Sequence, residues 1–302
     1  MPLLTIHHKT AYHYACPVGF GEHRIMLRPR DGHDLRVLSE ELAISPKPSS
    51  LRRIHDAFGN SVAIADFNTR ADRLVFESTV TVEHYPLDEV ALTAGDDAYH
   101  YPFAYDPEEL PDLMPSITPQ YNDPDDALAD WARTFLSADK RTQTRDLLVG
   151  MTHGVREQFA YRKRHEHGTQ HPLDTLSTRS GTCRDFALLM IEALRRLGIA
   201  ARFVSGYIFV PGEREHGYVG DGSTHAWVRA YLPSAGWVEF DPTNGIVGNR
   251  DLIRVAVARD PHQAIPIHGT YFGNADAHLG MDITIHVASV AENQKAAECL
   301  SG

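Results

Sequence analysis

Cysteine is scarce in this chain. Cys16, Cys183 and Cys299 are the only three in 302 residues, widely spaced and odd in number, which suggests neither a disulfide framework nor a cysteine-based metal site. No apolar run approaches the length of a membrane span, and the opening MPLLTIHHKTAYHY lacks the charged start, apolar core and cleavage site of a secretory leader. Positive charge is in deficit, with 29 Lys and Arg against 40 Asp and Glu for a net charge of -11. The acidic residues are scattered, which argues against nucleic acid and membrane surfaces as partners. His-Glu-x-x-His is absent, and the histidines of RHEHGTQH (His165, His167, His171) have no carboxylate or cysteine positioned to complete a ligand set. That stretch is read as a solvated loop, and no metal or other cofactor is expected. The expectation is a cytoplasmic protein with enough chain for one large domain or two ordinary ones.

What is abundant at the start is strand texture. From Leu3 to about Tyr101, LLTIHHKTAYHYA alternates, while ELAISP, SVAIADF and LVFESTVTVEHYP are rich in β-branched and aromatic residues between turn signals. Tyr101 to Asp126 then holds six prolines, Pro102, Pro107, Pro111, Pro115, Pro119 and Pro124. Such a density predicts an extended connection, its first part packed down through Tyr101, Phe103 and Tyr105. The expected division is 1–124, an antiparallel β domain with its connection, and 125–302, an α+β core. Two amphipathic helices, DDALADWARTFLSA and TRDLLVGMTHGVREQFAY, open the core. Arg250 to Ala258 reads as a strand or short helix, Met281 to Val290 as a last strand, and Glu292 to Gly302 as a frayed tail.

The core is organised around LSTRSGTCRDFALLMIEALRRLGIAARFVSGY, Leu176 to Tyr207. Phe186, Leu189, Met190, Ala193, Leu194 and Leu197 recur at helical spacing, with Thr182 as N-cap, Asp185 as its capping-box partner and Gly198 at the far end. Cys183 therefore falls in the first helical turn, where free backbone N–H groups and the helix dipole favour a thiolate. A lone cysteine is usually a small buried hydrophobe. A nucleophilic one needs a base and an orienting acid.

Both follow in THAWVRAYL and WVEFD. Strand alternation puts His225, Trp227, Arg229 and Tyr231 on one face, and a turn containing Pro233 and Gly236 predicts a hairpin. With a three-residue loop, Trp227 opposes Asp241, which becomes a diagonal neighbour of His225. A four-residue loop turns Asp241 away unless a bulge at Gly236 restores the facing.

Gly-Thr-Cys-Arg-Asp-Phe at 181–186, Ser-Thr-His-Ala-Trp-Val at 223–228 and Gly-Trp-Val-Glu-Phe-Asp-Pro-Thr-Asn-Gly at 236–245 together resemble the three signature segments of the transglutaminase-like superfamily. The stretch from KTAYHY through EHRIMLRPRDG is similar to the β domain that precedes the core in many bacterial members. The resemblance implies a papain-like α+β core in which Cys183, His225 and Asp241 are the catalytic triad, acting on a protein or peptide amide through a thioester. Hydrolysis of the cysteine protease or amidase type is the expected reaction. Protein-glutamine gamma-glutamyl transfer, arylamine acetyl transfer and an inactive binding module on the same fold are the alternatives. The backbone N–H of Cys183 is the natural first oxyanion donor. Animal cross-linking members use a tryptophan upstream of the cysteine as the second, and this chain has none between Trp131 and Trp227. Tyr161 is the substitute considered. Arg184 is read as an ion-pair or substrate-carboxylate contact, Trp227 and Trp237 as cover for the site or, for one of them, a groove wall, and Asn244 as a turn residue. The calcium dependence of some animal members finds no acidic loop here to support it.

Overall fold

The computed structural model describes residues 2–85, 98–138, 141–164, 168–210, 219 and 222–289. His165, His167, Cys299 and the expected tail lie outside them. The fold is α+β, a curled antiparallel sheet at the N-terminus followed by a core of helices on a second sheet.

The curled sheet is built on one long strand. β1 (Leu3–Ile25) alternates buried and partly exposed residues along most of its length, the pattern of a strand with one face on a core. Its first half pairs with β5 (Ala71–His84), and its second half with β4 (Ser61–Asp66), a register shift between His13 and Val18 dividing the two. β2 (Leu35–Ser45) adds to β5, and β3 (Ser50–His55), whose residues are exposed throughout, adds to β4. The other edge of β1 is filled by the end of the chain. β15 (Ile267–Phe272) and β16 (His278–Ser289) both run antiparallel to it. The sequence reading grouped residues 267–289 with the core; in the structure they complete the N-terminal sheet.

Residues 102–126 are not wholly extended. Within them α1 (Leu110–Ile117) is helical despite Pro111 and Pro115. Pro111 sits in the first turn, where no N–H is needed, and the cost of Pro115 in a helix interior is offset by tertiary anchors. Ser116 gives its carbonyl to Arg195 and its hydroxyl to Arg202, and Leu113 is buried. Tyr101 and Phe103 pack on the core as expected. β6 (His100–Tyr101) pairs with β7 (Thr142–Gln143).

The core helices are α2 (Ala127–Arg133), α3 (Thr144–Gln158), α4 (Pro172–Thr178) and α5 (Cys183–Arg196). Between them β8 (Ala160–Tyr161) lies parallel to β9 (Ser180–Gly181). The core sheet runs β13 (Ile246–Val247), β12 (Gly236–Asp241), β11 (His225–Leu232), β10 (Ala201–Ile208), β14 (Leu252–Ala258). Ala226, Val228, Ala230 and Leu232 of β11 share a core with Phe186, Leu189, Met190 and Leu194 of α5. Each large apolar side chain buried there contributes about 1.5–3 kcal/mol. Of the other α5 residues all but Arg184 and Arg196 are buried as well, so the expected apolar stripe becomes a helix enclosed on nearly all sides.

The opposite face of the core sheet is covered by the N-terminal sheet. Tyr207, Ile253 and Val255 pack against Leu4, Ile6, Val80 and Val82. Polar pairs sit in the same seam: Arg254 bonds to Asp34 at 3.1 Å and to Glu239 at 2.6 Å, and His8 Nδ1 lies 2.8 Å from the Tyr207 hydroxyl. Burial, helped by His7, lowers the His8 pKa from 6.5 to about 4. His8 is therefore neutral when folded and protonated when unfolded between those values, and stability falls as pH drops through that window. Between about pH 7 and 4.5, wild type should lose about 2–3 kcal/mol more than His8→Gln in urea unfolding. Equal losses would contradict this account of the seam.

Candidate active site

The loop before α5 is fixed by Asp185. Its Oδ2 accepts the backbone N–H of Thr182 at 2.8 Å, closing the expected capping box. The carboxylate is fully buried and also takes a two-pronged bond from Arg164, at 2.9 and 2.8 Å, and the N–H of Gln170 at 2.8 Å. Gly181 is required there, because a Cβ would lie 2.8 Å from that of Asp185. Cys183 is thereby set as the first residue of α5, buried, with its turn's N–H groups at the helix start.

His225 is the first residue of β11, and the hairpin brings its acid to it. Leu232 pairs with Gly236, leaving the three-residue loop Pro233–Ala235, and the ladder runs through Val228 opposite Phe240. One pair further on, Asp241 faces Trp227 and reaches diagonally to His225. Nε2 of His225 lies 2.7 Å from Asp241 Oδ2, both side chains fully buried. Nδ1 is buried with no hydrogen-bond partner among the described residues, which leaves it as the ring nitrogen not engaged by Asp241, and Cys183 is among the groups that act on the imidazole. Burial pulls the imidazolium pKa down, but the charge and bond of Asp241, followed by Cys183, outweigh it and push His225 up to about 10. Asp241 is held below the usual carboxylate range. Burial opposes this, and the His225 charge and bond, with bonds from Asn244 and Thr243, prevail.

Asn244 does more than turn the chain. Its side-chain nitrogen donates to Asp241 Oδ2 at 2.8 Å and lies 3.3 Å from His225 Nε2, while Arg156 holds its carbonyl. The signal was local: Asp241 Oδ1 accepts the Thr243 N–H at 2.9 Å, a turn that folds the third following residue back onto the acid.

Trp227 is wholly buried and stacked on His225 at 5.9 Å, among Val204, Ile208, Leu252 and Val257. It backs the imidazole and offers no surface to a groove. Trp237 sits at the turn end of the hairpin under Arg202. Tyr161 is held beside the cysteine loop by β8–β9 pairing to Gly181. Burial, then the charges of Cys183 and Asp185, raise its pKa to about 12, so its hydroxyl stays a donor. Arg184 donates to the Pro261 carbonyl at 2.7 Å and lies over Phe203. Burial pulls its pKa down against the charges of Cys183, Asp185 and Asp260. His171 caps α4 by accepting the Leu173 N–H at 3.2 Å, and the Tyr121 ring lies against it.

Two family models match the chain: the bacterial transglutaminase-like N-terminal region over residues 4–83 and the transglutaminase-like superfamily core over 119–242. The chain belongs to the transglutaminase-like superfamily. An uncharacterised Mycobacterium leprae protein is 28% identical over 300 residues, covering 94% of this chain and 98% of its own. A protein-glutamine gamma-glutamyltransferase of Pseudomonas aeruginosa is 39% identical over 75 residues, 24% of this chain and 11% of the relative. The crystal structure of a candidate cysteine protease from Cytophaga hutchinsonii shares the fold, with a TM-score of 0.71 at 22% identity over 96% of this chain and 91% of that one.

Proposed function

We propose that the chain is a thiol acyl-transfer enzyme that hydrolyses peptide or isopeptide amides, with Cys183 as nucleophile, His225 as acid and base, and Asp241 as the group that orients and charges the imidazole. The observation that carries this reading is the buried His225–Asp241 pair at 2.7 Å, set against a cysteine in the first turn of a helix. The Cys183 thiolate attacks the amide carbon and forms the C–S bond, and the oxyanion is received by the Cys183 N–H and the Tyr161 hydroxyl. When the C–N bond breaks, His225 gives its proton to the leaving nitrogen. Water then attacks the thioester, His225 takes its proton, and the acid and thiol are released.

Amine incorporation is the second reading, supported by the segment shared with the Pseudomonas gamma-glutamyltransferase. The lack of a tryptophan between Trp131 and Cys183 favours water as acceptor. A panel of glutamine-containing peptides incubated with excess primary amine separates them. Ammonia release with conversion of glutamine to glutamate, lost in Cys183→Ala, is expected. Amine adducts alone would replace hydrolysis with cross-linking chemistry, and neither product would favour a binding module.

A further inference from the structure

Where the N-terminal sheet parts from the core, a cavity of about 600 Å³ opens between them. It follows the even-numbered face of β1. Leu4 and Ile6 are sealed against Tyr207 and Ile253, His8 bonds to Tyr207, and Thr10, Tyr12 and Tyr14 then line the cavity. Met281 and Ile283, paired with Tyr12 and Thr10 across β16, extend this wall. On the core side the lining includes Arg184 and Thr224, the chain neighbours of Cys183 and His225. One end of the cavity therefore abuts the candidate active site.

Its charge is unlike that of the rest of the molecule. In a chain of net charge -11, the described lining residues include no Asp or Glu, and Arg184 is the only one with a permanent charge. No described carboxylate is bonded to Arg184. Asp185 is engaged by Arg164, and Asp260 by Tyr121 and His262. One guanidinium nitrogen donates to Pro261, which leaves donors of a planar fork at the wall of a cavity whose lining mixes aromatic and aliphatic residues with histidines and threonines. The charges of Cys183, Asp185 and Asp260 act on this cation without a bond from any described carboxylate, and its free fork matches a carboxylate.

We propose that this cavity is the acyl-donor subsite and takes a chain that combines an aryl or alkyl group with a carboxylate, the carboxylate held by Arg184. A volume in the usual range for small ligands suits a short peptide or smaller acid. This rests on Cys183 being the nucleophile.

The test uses N-iodoacetyl-phenylalanine and its carboxamide as alkylating probes, with Cys16 and Cys299 replaced by serine. In each case the thiolate displaces iodide and forms a C–S bond, which intact mass follows. The carboxylate probe should react about ten-fold faster than the carboxamide, and that ratio should fall to about one in Arg184→Gln. Taking a ratio cancels changes in the thiolate itself. Arg184→Lys, which keeps the charge, should retain several-fold of the preference, as expected for a point charge in place of the fork. Ile283→Trp, on an exposed strand position, should slow both aryl probes relative to iodoacetamide about ten-fold by filling the wall. A preference that persists in Arg184→Gln, or aryl rates indifferent to Ile283→Trp, would overturn the proposal. Iodoacetamide labelling that ignores His225→Ala would instead remove the reading of Cys183 as nucleophile.

Discussion

Asp241→Asn should slow acylation of Cys183 by at least about 100-fold, towards the 10⁴-fold loss typical when a triad acid is neutralised. The carboxylate is the largest force raising the His225 pKa against burial. Without it, burial pulls the imidazolium below its ordinary 6.5, and the charged partner of the thiolate is absent at neutral pH. The sign for stability follows from the same pair. Raised in the fold, His225 stabilises below its unfolded pKa, and that contribution disappears as pH rises through about 10. Lowered in the fold, Asp241 stabilises above its unfolded pKa, and its contribution disappears as pH falls through its depressed folded value. The check is the burst of p-nitrophenol from p-nitrophenyl acetate, with the acetyl group located on Cys183 by mass. A burst rate within a few-fold of wild type would mean that Asp241 is a structural acid only.

Glu192→Ala should destabilise the fold by about 3–5 kcal/mol, the usual consequence of stranding a buried charge. Glu192 and Arg195 are fully buried on α5 and lie 2.7 Å apart. The Glu192 carboxylate also accepts the N–H groups of Gln120 and Tyr121 at 3.0 and 3.2 Å. Arg195 spreads its other donors over the carbonyls of Ser116, Ala201 and Arg259. The pair thus ties the far end of the cysteine helix to the connection and to the core sheet. Burial pulls the Arg195 pKa down and the Glu192 charge opposes it, so removing the carboxylate leaves desolvation uncompensated. Glu192→Gln, which keeps an acceptor, should lose about half as much. Urea unfolding midpoints at constant slope measure both. A loss below about 1 kcal/mol for Glu192→Ala would show that Arg195 finds water or another partner.

The parts of this molecule visible in its sequence are those whose physics is local. The stripe from Phe186 to Leu197, the Thr182–Asp185 capping box and the alternation of β11 each lie within a few turns of chain, and each has its counterpart in the structure. Hairpin register was open between two loop lengths. Ser234 and Gly236, both at positive φ, close the three-residue form. What could not be read depends on distant partners. β16 looks like any amphipathic strand, and nothing in Met281–Ser289 says that it lies beside Leu4–Tyr12. Arg254 meets Asp34 across a separation of 220 residues. α1 forms where proline forbids it locally because Arg195 and Arg202 hold Ser116 from outside. Asn244 is the intermediate case, three residues from Asp241 and brought onto it by a local turn whose side-chain bonds do not show in strand alternation.

The most direct measurement is the rate of Cys183 alkylation by iodoacetamide across pH, with Cys16 and Cys299 replaced, in otherwise wild-type protein and in His225→Ala. If Cys183 and His225 form a reactive pair, labelling stays rapid at about pH 6, well below the free-thiol pKa of about 8.5, and is slowed at least ten-fold there by loss of the imidazole. Two superimposable profiles that both follow an ordinary thiol would contradict the account and leave Cys183 a buried residue at the start of a structural helix.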